Sequence, residues 1–464
     1  MPVNSFENYP MSWRPELLDR TPPIYTKLAH KLEEDIRRGF LKPGVQLPPQ
    51  RELADFLDLH LSTITRTYKL CEERGLLCAK TGKGTFVASD VRTSDILLYS
   101  KENTELIEMG TVHPPYNDNE EIIGFIKKVL MQPDMNLFLE YRSPGGTEIQ
   151  RKTVSERLEK INVTVSSENI VLATGSQNAL CGALLGLFQG GDKIGTNSHS
   201  FSGLKSIAKM LGIQLVPLPE NEGILQCEAL EKFCKTEKLK GLYFIPEYHN
   251  PTTHCLTDEE RICITDIAKK LDLIILEDAI NRMFRATSQL PLFAYAPQQT
   301  LHIFSVSKFL CAGLRMAYIS TPSRYKAALD TALYNMNLMA SPLNAEITNR
   351  IFNSQLFDKI IEGKRRELME RNKLVNYFLQ EFQVFGEDTC SFRWLKLPEQ
   401  WISGLEFEQF AKGIGVQVFC AEKFSVGNVK SPKAVRICVS APHTKECLEM
   451  GLEKLAKALK KGCN

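Results

Sequence analysis

The feature that most constrains this chain is a series of short apolar runs with no polar alternation. Ile170-Val-Leu-Ala173, Gly241-Leu-Tyr-Phe-Ile245 and Leu273-Ile-Ile-Leu276 each read as a strand that is apolar on both faces. Such a strand has to be covered on both sides, and parallel sheets flanked by helices provide that cover. A helical pattern opens at Thr174-Gly-Ser-Gln177, with Leu180, Ala183, Leu184 and Leu187 on its inward face. From about Leu106 the chain therefore reads as alternating strands and helices, an α/β domain with a mainly parallel sheet covered by helices. A helical segment from Glu346 to Gln380 leads into a smaller α/β part, with a strand at Ala434-Val-Arg-Ile-Cys-Val439 and a closing helix carrying Leu448, Leu452, Leu455 and Leu459. The expectation is one domain over 106–464, its large part at about 130–340 and its small part at about 345–464.

At 464 residues the chain suggests two or three domains, so a second module is expected ahead of this one. Lys+Arg 57 against Asp+Glu 55 nearly cancel, so any basic footprint for nucleic acid has to be local. The 13 cysteines show no C-x-x-C pair and no zinc-type Cys/His spacing, which points to reduced thiols and no metal. The first residues lack a basic stretch followed by an apolar one, and no run approaches a membrane span, so a cytoplasmic protein is expected.

After a polar leader (1–24), Tyr25 to Phe40 reads as a helix with Leu28, Leu32 and Ile36 on one face. Gln50 to Leu57 turns Leu53, Ala54 and Leu57 inward, and Ser62 to Gly75 turns Ile64, Tyr68 and Cys71 inward. Leu76 to Val87 then reads as two short strands turned at Gly82-Lys83-Gly84. Three small helices and a hairpin over 25–88 describe a winged helix-turn-helix; a helical oligomerisation domain is the alternative, but leaves the glycine-rich wing without a purpose. Residues 89–105 are polar and aperiodic, and read as a linker.

The chemistry gathers around Ser305-Val-Ser-Lys308, followed by Gly313-Leu-Arg315. A lysine beside hydroxyls and an arginine is a candidate amine nucleophile, because partial burial and a nearby cation both depress its pKa. The hydroxyls and Arg315 suit a phosphate. Taken alone, the stretch equally describes a strand-to-loop with a solvated lysine. Gly175 and Ser176 at a helix N-terminus present N–H groups to an anion. Glu277-Asp278 closes a buried strand at its carboxyl end, where open α/β sheets place their ligands. Arg436 suits a carboxylate, with a structural ion pair as the competing reading.

These residues carry two resemblances. Gly39-Phe-Leu-Lys-Pro-Gly-Val-Gln-Leu-Pro48, Arg51-Glu-Leu-Ala54, Thr63-Ile64, Glu73-Arg-Gly-Leu-Leu77 and Gly82-Lys-Gly-Thr-Phe-Val87 resemble the GntR family of bacterial regulators. The resemblance implies that Thr63 and Arg66 face DNA, that Arg51 and Lys83 lie near phosphates, and that the wing tip at Lys83-Gly84 reaches toward the minor groove. The family's usual Ser-Arg pair falls on His60-Leu61 here, which removes one expected phosphate contact.

Ser305-Val-Ser-Lys308 with Ala312-Gly-Leu-Arg315 resembles the cofactor-lysine segment of fold-type-I pyridoxal phosphate (PLP) enzymes, and further pieces of that pattern stand upstream in order. By that resemblance Lys308 is the cofactor lysine; Gly175, Ser176, Gln177, Ser305 and Arg315 hold its phosphate; and Phe201 stacks on its ring. Asn250, in Asn250-Pro-Thr252, bonds its phenolic oxygen, and Asp278 pairs with the ring nitrogen. Tyr141, in Tyr141-Arg-Ser-Pro-Gly-Gly-Thr147, reaches the neighbouring subunit's phosphate, and Arg436 holds a substrate carboxylate. The regulator subfamily has tyrosine two residues after the aspartate; here it is Ile280. A winged helix first and an aminotransferase-like domain second resembles the MocR subfamily of GntR-type regulators. It implies a homodimer with PLP as cofactor and operator DNA and an amine or amino-acid effector as partners, sensing by Schiff-base exchange. A working aminotransferase with an attached DNA-binding module is the alternative.

Overall fold

The computed structural model describes residues 11–16, 21, 23–38, 40–41, 44–73, 76–80, 84–87, 106–221, 223–427 and 429–461. Lys83, most of the leader, Gly75 and the linker 89–105 lie outside the described residues.

The N-terminal unit has α1 (Ile24–Arg37), α2 (Gln50–Leu57) and α3 (Leu61–Glu73), then the antiparallel pair β1 (Leu77–Lys80) and β2 (Gly84–Val87). α1 stops earlier than its apolar pattern suggests, because the Arg38 N–H bonds the carbonyls of Glu34 and Ile36 and tightens the last turn. Leu28, Leu32, Ile36, Leu53, Leu57, Ile64, Tyr68 and Val87 share one core. Trp13, from the stretch read as a leader, is buried in that core and donates to Asp35 Oδ2 at 3.0 Å. Tyr68 is buried, and its hydroxyl donates to the Pro48 carbonyl at 2.8 Å, tying α3 to the turn ahead of α2.

The second unit begins with β3 (Ile107–Glu108), α4 (Asn119–Leu130) and α5 (Glu148–Glu159). There follow β4 (Ile170–Ala173), α6 (Ser176–Leu187), β5 (Lys193–Thr196), α7 (Ser202–Leu211), β6 (Gln214–Pro217) and a hairpin of β7 (Glu220–Asn221) and β8 (Ile224–Leu225). Then come α8 (Cys227–Glu237), β9 (Gly241–Phe244), α9 (Asp258–Leu271), β10 (Ile274–Asp278), α10 (Leu292–Tyr295), β11 (Thr300–Ser305), β12 (Ala317–Ser320) and α11 (Ser323–Asn337). Seven of these strands form one sheet in the order β4-β12-β11-β10-β9-β5-β6, parallel except where β12 runs against both neighbours.

The apolar runs divide their side chains between two layers, as a strand of period two must. Tyr243 and Leu276 pack with α6 and α7, while Leu242, Phe244 and Ile275 pack with α8 and α9. β10 runs past its apolar stretch through Glu277 and Asp278, because both backbones stay in the ladder opposite His302 and Ile303. By the same alternation Asp278 shares the Leu276 side of the sheet and Glu277 the other, where Glu277 accepts from the N–H groups of Leu292 and Phe293 at 2.9 Å each.

The helical stretch beyond Glu346 is two helices, α12 (Pro342–Phe352) and α13 (Gln355–Phe378). Ser354 leaves helical geometry (φ −112, ψ 162), as a residue that competes with the backbone for hydrogen bonds readily does. The small part is a four-stranded sheet, β13 (Val384–Phe385), β14 (Phe392–Lys396), β17 (Ala434–Cys438) and β16 (Phe419–Cys420), in that order. α14 (Gly404–Gly413) and α15 (Lys445–Lys461) accompany it, and β15 (Val416–Gln417) pairs in parallel with β3.

Replacing Tyr68 with Phe leaves the buried Pro48 carbonyl without its donor. Native-state hydrogen exchange should show the opening free energy of α1 and α3 amides falling by about 1–2 kcal/mol, with the seven-stranded sheet unchanged.

Candidate functional site

The site is built where β10 and β11 end. Lys308 follows β11, and the chain returns to β12 through Arg315, which takes a left-handed conformation (φ 51). That turn aims the guanidinium back, and Arg315 Nη1 donates to Ser307 Oγ at 3.2 Å; Ser305 Oγ is 3.3 Å from Ser307 Oγ. Against them stands the start of α6. Gly175 has φ 83, and a Cβ built there would lie 2.4 Å from Arg315 Nη2, so only glycine lets the two approach. No side chain caps the first turn of α6, which begins with Ser176 and Gln177. Gln177 Nε2 donates to the Gly203 carbonyl at 3.1 Å, and a Cβ at Gly203 would lie 2.3 Å from the Phe201 ring. N–H groups at a helix start, a guanidinium and two hydroxyls thus converge, with Phe201 adjoining.

Asp278 is buried, and Tyr243 donates to its Oδ2 at 3.0 Å. Among the described residues its Oδ1 has no well-formed hydrogen bond. Burial raises the Asp278 pKa to about 6, against the Tyr243 bond, the nearby Ile280 N–H and the charge of Lys308. Lys308 is brought down to about 8, first by burial and then by Arg436 and Arg315, while Cys438 and Asp278 oppose the shift. Its Nζ donates to the Val112 carbonyl at 2.5 Å. Arg436 is buried under the Phe392, Phe419 and Phe424 rings, the nearest 4.7 Å from its guanidinium carbon. Its Nη1 donates to Asn250 Oδ1 and its Nη2 to the Gly110 carbonyl, each at 2.5 Å, and its Nε is buried with no partner among the described residues. Burial lowers its pKa to about 10.

One chain thus brings together Gly175, Ser176, Gln177, Phe201, Asn250, Asp278, Ser305, Lys308, Arg315 and Arg436. It does not bring in Tyr141, which is 82% exposed beside exposed Leu137 and Leu139. In the N-terminal unit Arg51 and Arg66 are exposed on α2 and α3, Thr63 is partly exposed, and Gly84 opens β2. His60, standing where the GntR pattern has its serine, accepts the Ser62 N–H at Nδ1 (3.3 Å) and serves the start of α3. Sequence reasoning missed Tyr243, although a tyrosine on the Asp278 side of a buried strand was a usable signal. It also missed the Gly110 and Val112 carbonyls, for which no residue type is diagnostic. Among the described residues no group of His, Cys, Asp and Glu forms a metal cluster.

The donors suit PLP. The cradle around Gly175 suits a phosphate, the unpaired Asp278 Oδ1 suits a protonated ring nitrogen, and Lys308 supplies an amine close to neutrality.

The sequence pattern described as "Aminotransferase class I and II" matches residues 104–455, and that of "Bacterial regulatory proteins, gntR family" matches 24–87. The HTH-type transcriptional regulator YdeF of Bacillus subtilis is 43% identical over 99% of both chains. YdcR of Escherichia coli, also an HTH-type transcriptional regulator, is 22% identical, with 87% of this chain and 92% of that one covered. Among solved structures, an archaeal alanine:glyoxylate aminotransferase aligns with TM-score 0.72 at 23% identity, covering 80% of this chain and 94% of its own. LysN, an α-aminoadipate aminotransferase of Thermus thermophilus, aligns with TM-score 0.70 at 22% identity, covering 80% and 96%.

Fold and site together define a fold-type-I aminotransferase-like body behind a GntR-type winged helix. The chain belongs to the aminotransferase class I and II family, in the MocR branch that carries a gntR-type domain in front.

Because the folded state raises the Asp278 pKa, charging this carboxylate costs stability above pH 6, and the cost vanishes as pH falls toward 4. In protein dialysed free of small molecules, Asp278→Asn should therefore stabilise by up to about 3 kcal/mol at pH 8 and by nothing near pH 4, read by denaturant unfolding.

Proposed function

We propose that this chain is a DNA-binding transcription regulator that holds PLP on Lys308 and senses an amine or amino acid by Schiff-base exchange. The observation that carries the reading is Lys308 itself: an amine with a pKa near 8, set between an anion cradle and a buried carboxylate, in a chain that opens with a winged helix. When bound, PLP supplies an aldehyde that condenses with amines and a ring that withdraws electrons.

The residues then have distinct tasks. Arg315, Ser305, Ser307 and the start of α6 bind the phosphate and fix the direction of the ring. Asp278, held by Tyr243, keeps a proton on the ring nitrogen, which also returns Asp278 to its charged form. Phe201 packs on the ring, Asn250 donates to its phenolic oxygen, and Arg436 offers its guanidinium to a carboxylate. Ile280 brings no hydroxyl to the phenolic oxygen, and Tyr243 uses its own on Asp278. Proton shuttling by Lys308 depends on close positioning, so amine capture is favoured over repeated transamination. The exposed Leu137, Leu139 and Tyr141 supply a surface for a second copy, with Tyr141 completing the neighbour's phosphate pocket. Arg51, Thr63, Arg66 and the wing at Lys83-Gly84 engage operator DNA, and the cytoplasm is the compartment. Among the described residues no helix is long and apolar enough to cross a membrane.

Purified protein incubated with PLP and reduced with borohydride should carry the adduct on Lys308 and lose it in Lys308→Ala. The neutral amine is the nucleophile, so the rate of PLP capture should climb with pH and level off above about 8. An adduct on another lysine defeats the assignment, and fast multiple turnover of an amino donor with a 2-oxo acid makes the protein an aminotransferase.

DNA binding supplies an independent check. Arg51→Ala should reduce the log–log salt slope by about one unit across all sequences. Arg66→Ala should relax preference at particular bases. Operator binding by a protein starting at Leu106 contradicts the reading.

A further inference from the structure

Residues 106–116 cross the site as a strap. The strap is the first described segment after the linker that follows the winged helix, and its only ladder among the described residues, β3 with β15, is two residues long. Met109 continues the backbone hold, its N–H donating to the Gln417 carbonyl at 2.9 Å and its carbonyl accepting from the Cys438 N–H at 2.6 Å. Beyond it side chains of the body hold main-chain carbonyls: Arg436 at Gly110, Lys308 at Val112, Ser440 at His113 (2.5 Å) and Lys364 at Pro115. Glu108 Oε1 accepts from the N–H groups of Gly110 and Thr111 at 2.7 Å each, so the inner turn is fastened back onto β3.

The hold at Val112 uses the same nitrogen as the cofactor. Condensation of the Lys308 amine with an aldehyde forms an N=C bond and releases water, and both hydrogens of the neutral amine leave with the aldehyde oxygen. The resulting imine nitrogen has no hydrogen to give Val112, or a single in-plane one when protonated. Exchange with an incoming amine reverses this: the new amine takes the carbon, its two hydrogens are returned to Lys308 through proton transfer, and Lys308 regains its donors.

Resting on the reading above, we propose that the strap is the element through which the occupancy of Lys308 reaches the N-terminal domain. It is released at Val112 when the cofactor sits on Lys308, and is gripped again when an effector amine displaces the lysine. Any primary amine that completes the exchange works the grip, whether or not it carries a carboxylate.

The test is hydrogen–deuterium exchange of residues 106–116 in the full-length protein, alone, with PLP, and with PLP plus an amine that shifts the cofactor absorbance. Exchange at Gly110 and Thr111, whose N–H groups are fastened to Glu108, should rise about tenfold on PLP addition, as expected when the adjoining Val112 carbonyl loses its hydrogen bond from Lys308, and fall back with the amine. Lys308→Ala should exchange fast in all three conditions. Ser440→Ala, which loosens the strap at His113, should keep the absorbance response and lose most of the amine's effect on operator affinity. Strap exchange that stays constant while the absorbance reports amine binding overturns the proposal alone. An unchanged amine effect on operator affinity in Ser440→Ala does the same. A protein in which PLP never attaches to Lys308 removes the functional reading and the strap proposal together.

Discussion

The burial of three ionisable groups in one crevice governs this structure. Lys308, Asp278 and Arg436 are all moved toward their neutral forms by loss of water, and each electrostatic interaction among them is stronger for it. The fold supplies the crevice. β10 carries Asp278 out at its carboxyl end, β11 delivers Lys308 just beyond its own, and β17 of the small part brings in Arg436, whose charge acts on Lys308. Tyr243, the Ile280 N–H and the carbonyls of Gly110 and Val112 then meet the polar demand that burial creates, leaving Asp278 Oδ1 and Arg436 Nε unpaired among the described residues. In a protein interior such atoms are exceptions, and two in one crevice mark it as built for a polar guest.

Much of this was legible in the sequence because it rests on side-chain identity and period. The uninterrupted runs of β4, β9 and β10 announce a doubly covered sheet, and the order of Gly175, Asn250, Asp278 and Lys308 carries the resemblance to the aminotransferases. The winged helix was visible through the spacing of Leu28, Leu32, Ile36, Ile64 and Tyr68. What was hidden depends on the main chain or on tertiary partners. The Gly110 and Val112 carbonyls carry no residue signature. The break at Ser354 competes with a strong helical period on both sides, and the capping role of His60 rests on a local hydrogen bond that another residue type usually makes. Arg436 was legible as a residue for anions, but its engagement with Asn250 and Gly110 was not, because neither lies near it in sequence.

The two units meet different demands. The aminotransferase-like body buries a larger share of its surface than a small domain can, and that burial offsets the cost of holding a charge such as Asp278 out of water. The winged helix is small, and its core is correspondingly dependent on each large side chain, from Leu28 to Val87.

Trp13 shows what that dependence means for exchange of parts between proteins. The gntR pattern begins at residue 24, yet the indole of Trp13 fills the same core and bonds Asp35 on α1. A chimera cut at the edge of the recognised pattern would discard the largest side chain in that interior and leave a cavity against Asp35. The working module is therefore longer than its family signature, and a graft of this DNA-binding head onto another body has to begin ahead of Trp13.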